Sequence, residues 1–213
     1  MNVLELFAGS RSFSKVAEEF GLKSFCVDIK PFDKIDYVVN ILEFDYKKIH
    51  FKPDVIWASP PCTYFSVASI GHHWNKDNTP KTKEAVLGCK IIIKTLEIIN
   101  YLQPDYFFIE NPRGKLRKLE FMNKIPRATV TYCQYGDTRM KPTDIWTNFL
   151  SSNDLFGDNK LQGWLPRPIC KNGDKCHIAA PRGSQTGTQG LKGNYERSKV
   201  PYELCKEIKK SII

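Results

Sequence analysis

A chain of 213 residues, 41% hydrophobic, 26% charged and 12% aromatic, can bury a core, is too short for two full domains and is not a disordered composition. No apolar run approaches the roughly 20 residues that cross a bilayer, and the odd count of seven cysteines argues against a disulfide framework. A soluble, cytoplasmic protein with reduced thiols is expected, and its 32 Lys and Arg against 23 Asp and Glu, a formal +9, favour a polyanionic partner such as nucleic acid.

Apolar runs alternate with helix-like segments along the chain, the mark of an α/β sheet with helices on both faces. Residues 3–6 predict a strand, and residues 13–20 a helix with Phe13, Val16, Ala17 and Phe20 on one face and Gly21 as its stop. Phe25-Cys26-Val27, Tyr37-Val38-Val39 and residues 55–58 read as the next strands, the last introduced by the turn Lys52-Pro53-Asp54. The longest helix is predicted from Thr79-Pro80 to Leu102, with Ala85, Cys89, Ile92, Leu96 and Ile99 as its core stripe. A buried strand over 106–109 then stops at Glu110-Asn111-Pro112. Strands at 129–132 and 145–147 and a final helix over 201–212 complete the pattern. Residues 151–194 lose periodicity and are rich in Gly, Asn, Pro, Gln and Lys, which marks a functional loop or a small subdomain.

Ligands of open α/β sheets sit outside the carboxyl ends of the strands, so the residues there are the ones placed for chemistry. The small-residue turn Phe7-Ala8-Gly9-Ser10-Arg11-Ser12 opens a helix where backbone amides can meet a ligand's polar end. Asp28 closes the second strand, where a carboxylate can accept hydrogen bonds from a ribose diol. Two prolines stiffen the loop Ser59-Pro60-Pro61-Cys62 and present its cysteine at the ligand edge, a placement suited to a nucleophile. Glu110 follows four apolar residues, placed to hold or donate a proton near that thiol.

From the first strand to Trp146 these residues resemble the cytosine carbon-5 DNA methyltransferases. Leu4-Glu5-Leu6-Phe7-Ala8-Gly9 is similar to the family's cofactor-binding first motif, with Asp28 and Asn40 where it places ribose and adenine contacts. Pro60-Pro61-Cys62, with Phe65-Ser66, matches its nucleophile motif, and Glu110-Asn111 is similar to its Glu-Asn-Val motif. Tyr135-Gly136-Asp137-Thr138-Arg139-Met140-Lys141 resembles a reduced Gln-x-Arg-x-Arg segment in which only Arg139 carries over. Ser198-Lys199-Val200-Pro201-Tyr202 resembles the closing motif that returns to the cofactor pocket.

The resemblance implies a Rossmann-like methyltransferase fold with a mostly parallel sheet. It also implies S-adenosylmethionine held by Phe7, Ala8, Gly9, Asp28, Asn40, Pro60 and Ser198, and catalysis by Cys62, Glu110 and Arg139 on a cytosine flipped out of DNA. Substrate contacts fall to Ser66, Asn111, Lys141, Arg167 and Arg182. Residues 1–150 would form the catalytic domain, 151–194 a variable substrate-facing region with Trp164, Lys171, Lys175, Gln185 and Gln189, and 195–213 a closing segment. Within the variable region Cys170, Cys176 and His177 are three candidate ligands for a structural zinc ion, with Cys133 or Asp174 as a fourth if the loop folds back. A monomer is expected, with a partner subunit for target recognition as the alternative, and the compact size suggests a phage or restriction-system setting. Two other readings stay open: a transfer-RNA methyltransferase from a branch with similar motifs, and a relative without activity, suggested by Arg11 in place of a usual glycine.

Overall fold

The computed structural model describes residues 1–151, 163–171, 173–179, 191 and 193–212. Among them, strands β1 (Asn2–Leu6), β2 (Lys23–Asp28), β3 (Tyr37–Val38), β4 (Val55–Ala58), β5 (Tyr106–Pro112), β6 (Arg127–Thr131) and β7 (Pro142–Thr147) form one sheet. Its order is β3-β2-β1-β4-β5-β7-β6, parallel from β3 to β5, with β7 inserted antiparallel between β5 and β6. The helices are α1 (Ser12–Glu19), α2 (Ile70–His73), α3 (Lys83–Leu102), α4 (Asn194–Ser198) and α5 (Tyr202–Ser211). The expected Rossmann-like, mostly parallel α/β sheet is present.

Successive strand residues point to opposite faces, and the sequence supplies apolar side chains for both. Val3, Val55, Trp57, Phe108 and Ile145 join α1 and α5 in one core, where Phe13 stacks on Trp57 at 4.8 Å between ring centroids. Leu4, Leu6, Ile56, Ala58, Ile109 and Trp146 join α3 in the other, through Ala85, Ile92, Ile98 and Ile99. Between β5 and β6 that second face is closed by two short 3-10 turns, Leu116–Lys118 and Glu120–Met122, which bury Leu116, Leu119 and Met122.

Three expectations shift. Helix α3 starts at Lys83 and not at Thr79-Pro80, because Pro80 bridges to Trp74 and Lys81 N donates to His73 O, which keeps that stretch extended. Thr82 then caps the helix, its hydroxyl accepting from Ala85 N at 3.2 Å. Strand β5 continues through Glu110 and Asn111 to Pro112, because β7 pairs with it beyond the point where β4 ends. Trp164, expected among the substrate-facing residues, is 1% exposed. Its ring packs against Phe108 and its indole N–H donates to Glu207 at 3.2 Å, so its large apolar surface serves the core.

Glu5 points from β1 into the first core and accepts from Ser14 N at 2.7 Å and Phe13 N at 3.4 Å, so a carboxylate caps the start of α1. Burial outweighs these bonds and raises its pKa from 4.5 to about 6. Ionisation therefore costs more in the folded chain than in the unfolded one, and Glu5 withdraws stability as pH rises from the unfolded value through the folded one. We expect the stability of wild type minus that of Glu5→Gln to fall by about 2 kcal/mol between roughly pH 4 and pH 7. Denaturant titrations at several pH values measure this, and a flat difference would remove the assignment.

Candidate active site

The cofactor residues expected from the sequence lie at the carboxyl ends of β1, β2 and β3. After β1 the backbone enters the left-handed region at Phe7 (φ 57°), Gly9 (φ 44°) and Arg11 (φ 54°), which coils the turn before α1. Ala8 N donates to Val27 O at 3.0 Å and Gly9 N to Asp28 Oδ2 at 2.9 Å, tying the turn to the end of β2. The other Asp28 oxygen accepts from Lys30 N at 2.8 Å, and Asn40 accepts from Leu42 N at 3.1 Å. Each Asp28 oxygen retains a lone pair for a hydroxyl donor, and Gly9 puts no side chain where the turn meets that carboxylate. This donor set fits a ribose-bearing cofactor. Arg11 sends its guanidinium to Glu18, Ser24 and the Cys26 sulfur, on the α1–β2 side of the turn. Ser198 is exposed and donates to Tyr195 O at 2.8 Å. The closing segment instead reaches the first turn through Val200 N, which donates to Ser12 Oγ at 3.1 Å.

The loop after β4 is pinned on both sides of Cys62. Upstream, Pro60 is buried and its carbonyl accepts from Asn111 Nδ2 at 2.9 Å. Downstream, the Cys62 carbonyl accepts from Phe65 N and Ser66 N, each at 3.0 Å, in a tight turn. Phe65 is fully buried against Trp74, and Ser66 bridges to Gly114, with its hydroxyl 3.1 Å from Ser69 Oγ. A Cβ at Gly114 would overlap the Phe65 carbonyl oxygen, so the loop's seat requires glycine there. Asn111, expected as a substrate contact, is fully buried and holds the loop.

Glu110 lies one residue beyond the paired positions Ala58 and Ile109, and its side chain takes the face that Phe108 occupies two residues earlier. Its Oε1 accepts from the Tyr132 hydroxyl at 2.8 Å and lies 4.0 Å from Lys141 Nζ. Lys141 sits over the Tyr132 ring at 4.5 Å and donates to Arg197 O at 3.2 Å, from a backbone held at φ 25°. Arg139 is buried, its guanidinium held by Asp137 at 2.9 Å and 3.0 Å and set over the Tyr132 ring. Cys62 itself is half-exposed. Desolvation pushes its thiol up from the usual range and the Glu110 carboxylate pushes it further, while Lys141 and Arg197 pull it down. The arrangement sets a partly buried thiol within the electrostatic reach of a carboxyl group that has a fixed proton donor, with Lys141 and Arg197 as the cationic neighbours.

Next to Tyr132 along the chain, Cys133 joins Cys170, Cys176 and His177 to bring four ligand atoms within 4.8 Å of one another, a group that could hold a metal ion. Arg167 pairs with Glu207 at 2.7 Å, donates to Gln134 O at 2.7 Å and lies over the Tyr135 ring. Arg182, with Gln185 and Gln189, lies outside the described residues.

Residues 1–125 match the family of C-5 cytosine-specific DNA methylases. A relative from Frog virus 3 (isolate Goorha), named "Probable DNA (cytosine-5)-methyltransferase", is 34% identical over 98% of this chain and 98% of its own. The chain belongs to this family. Among solved structures, the Entamoeba histolytica methyltransferase EhMeth aligns with a TM-score of 0.52 and 16% identity over 69% of this chain and 52% of its own. A DNA modification methyltransferase encoded within an E. coli prophage aligns with a TM-score of 0.50 and 17% identity over 69% of this chain and 46% of its own. This chain thus spans about half the length of those two structures, which bear on the fold alone.

Two residues beside Cys62 and Glu110, Tyr132 and Arg197, carry no signal of their place in the sequence, and a third, Asn111, was expected in another role. Tyr132 looked like the end of a strand, and Arg197 carried no motif. The loop-holding use of Asn111 depends on a partner 51 residues away.

Two measurements test the geometry. Alkylation of Cys62, followed peptide by peptide against pH, should have a midpoint above the roughly 8.5 of a free cysteine. Glu110→Gln should lower that midpoint and Lys141→Met raise it, and shifts of the opposite sign would overturn the electrostatic account. Gly114→Ala should retain its circular dichroism yet lose about a hundredfold in methyl transfer, because displacing the Phe65-Ser66 backbone moves the nucleophile. Gly71→Ala, with nothing within 4 Å of the added carbon, should keep its activity; equal activity in both variants would dismiss the constraint.

Proposed function

We propose that this chain transfers a methyl group to carbon-5 of cytosine in DNA, with Cys62 as nucleophile. The convergence of the Cys62 thiol and the Glu110 carboxyl at neighbouring strand ends carries the reading. In it, residues 1–150 form the catalytic domain, 151–194 face the substrate, and 195–213 close back onto the first turn. The basic composition suits a polyanionic substrate, and a monomer suffices for the chemistry.

The Phe7–Gly9 turn, Asp28 and Asn40 would hold S-adenosylmethionine, which would supply an electrophilic methyl group whose bond to the sulfonium breaks to leave a neutral thioether. Cytosine carbon-5 is a poor nucleophile until something adds to carbon-6. The Cys62 thiolate forms that sulfur–carbon bond, and the electron pair it pushes into the ring makes carbon-5 nucleophilic. Glu110 offers a proton or hydrogen bond to ring nitrogen-3, so the growing negative charge is met as it forms. The Tyr132 hydroxyl fixes the Glu110 oxygen, and Lys141 and Arg197 favour the thiolate. Once carbon-5 is methylated, loss of its proton to a base restores the double bond and expels the thiolate.

Both faces of a stacked cytosine are hidden, so the base must leave the duplex at a cost of a few kcal/mol. Arg139, clamped by Asp137, supports the turn that carries Lys141 and is a positioning residue in this reading. No step requires a metal, so an ion at the Cys133 group would be structural.

A duplex carrying 5-fluorocytosine tests the chemistry, since fluorine cannot leave as a proton and the Cys62–carbon-6 bond should persist. We expect a covalent protein–DNA species mapped to Cys62 and absent in Cys62→Ala. Labelled methyl transfer to duplex DNA, single-stranded DNA and RNA, compared side by side, reads the substrate class. Incorporation into RNA alone would replace DNA by RNA, and none from wild type on any of them would reduce the chain to a binding relative.

A further inference from the structure

The thiol–imidazole group beside β6 has its own geometry, independent of the methyl-transfer site. Cys133 Sγ lies 3.1 Å from Cys170 Sγ and 3.6 Å from Cys176 Sγ, while His177 Nδ1 lies 3.7 Å from Cys170 Sγ and 3.6 Å from Cys176 Sγ. A tetrahedral zinc ion with Zn–S near 2.3 Å and Zn–N near 2.0 Å has S···S edges of about 3.8 Å and S···N edges of about 3.5 Å. Three of the four measured edges match those lengths within about 0.2 Å. A disulfide explains the group less well. Its bond is about 2.0 Å, and Cys133 faces two sulfurs at once, of which it could join only one.

The surrounding chain needs such a fastening. Residues 163–171 and 173–179 contain no helix and only one bridge residue, Trp164. Leu165 (55%), Ile169 (52%) and Ile178 (61%) are exposed, so apart from Trp164 and Cys170 this stretch buries little apolar surface. Hydrophobic burial anchors it at Trp164 and holds little of the chain beyond, where four ligand atoms meet against the turn after β6. The local folding brings them there. Lys171 N donates to Asp174 Oδ2 at 2.7 Å and Gly173 takes φ 95°, reversing the chain so that Cys176 returns beside Cys170. Cys170 N donates to Thr131 Oγ1 at 3.0 Å and Ile178 N to Thr138 O at 2.9 Å, on either side of the turn that carries Cys133.

We propose that Cys133, Cys170, Cys176 and His177 bind one structural zinc ion that fastens the 163–179 segment to the turn following β6. Cys133 is the fourth ligand, supplied by the catalytic domain 37 positions before Cys170. The ion therefore closes a long-range contact, unlike a local finger. Cys133 also directly follows Tyr132, whose hydroxyl holds Glu110, so the fastening lies one residue from the support of the catalytic carboxyl.

Elemental analysis of the full-length protein purified in reductant should find about one zinc per chain. Cys170→Ser and Cys176→Ser should reduce that content at least about tenfold, whereas Cys89→Ser, a half-buried cysteine on α3, should retain it. Cobalt titrated into chelator-treated wild type should give thiolate-to-metal charge transfer and the intense visible bands of tetrahedral coordination, a readout that does not depend on any variant folding. A protein that purifies metal-free and gives no such spectrum would overturn the proposal, as would a Cys133–Cys170 disulfide found by mass spectrometry before reduction. Neither readout involves methyl transfer, so the metal site and the proposed activity fail or stand separately.

Discussion

The hydrogen bond from Asn111 to the Pro60 carbonyl links the two strand ends that the chemistry needs. It is wholly buried, where an unmade bond to a backbone carbonyl costs about 1–3 kcal/mol. Parallel pairing of β4 with β5 brings the strands side by side but leaves the loop after Ala58 undirected. The side-chain amide supplies the direction, and the turn on the Cys62 carbonyl completes it. Alternation along β5 then does two jobs with adjacent residues: Asn111 faces the loop, and Glu110 faces Tyr132 on the opposite side. β7 makes this possible by continuing the pairing of β5 past the end of β4, so both residues lie on a fixed strand.

A thiol placed for attack is not thereby ionised. Desolvation and the nearby carboxylate hold Cys62 above its usual range, which protects it from adventitious reaction, while Lys141 and Arg197 limit the penalty. The cationic partners come from two distant parts of the chain. Lys141 enters from the turn before β7 and Arg197 from the closing segment, and the two are joined by the bond from Lys141 Nζ to Arg197 O. The same segment meets the first turn through Val200 and Ser12, 188 positions apart. Chain closure thus completes both the turn after β1 and the charge environment of Cys62.

What was legible in the sequence follows from the range of the interactions involved. Alternation, turns and the proline-stiffened loop are local, so the strands, α1, α5 and the family motifs could be read directly. The start of α3 could not, because Thr79-Pro80 is a good helix opening that loses to bridges with Trp74 and His73. Trp164 read as a substrate-facing aromatic because nothing in its neighbourhood signals that Phe108 and Glu207 wait for it. Arg139, through its motif, and Lys141, as its neighbour, are both expected near the base. Asp137, two residues from Arg139, claims that guanidinium and leaves Lys141 as the residue near Glu110.

Residues 127–147 show how a small catalytic domain concentrates its supports. Within this hairpin-like stretch, Tyr132 fixes Glu110, Cys133 offers a sulfur to the variable segment, Asp137 restrains Arg139, and Lys141 approaches the Glu110 carboxyl. A conventional apolar interface for the 163–179 segment would demand more buried side chains than it possesses. A metal fastening needs only four ligands, and by using Cys133 it would fix the segment to the turn next to Tyr132, which holds the Glu110 carboxyl. Under that proposal one ion would tie the segment bearing Cys170 and Cys176 to the turn next to Tyr132, so a single contact would order the segment and back the Glu110 carboxyl together.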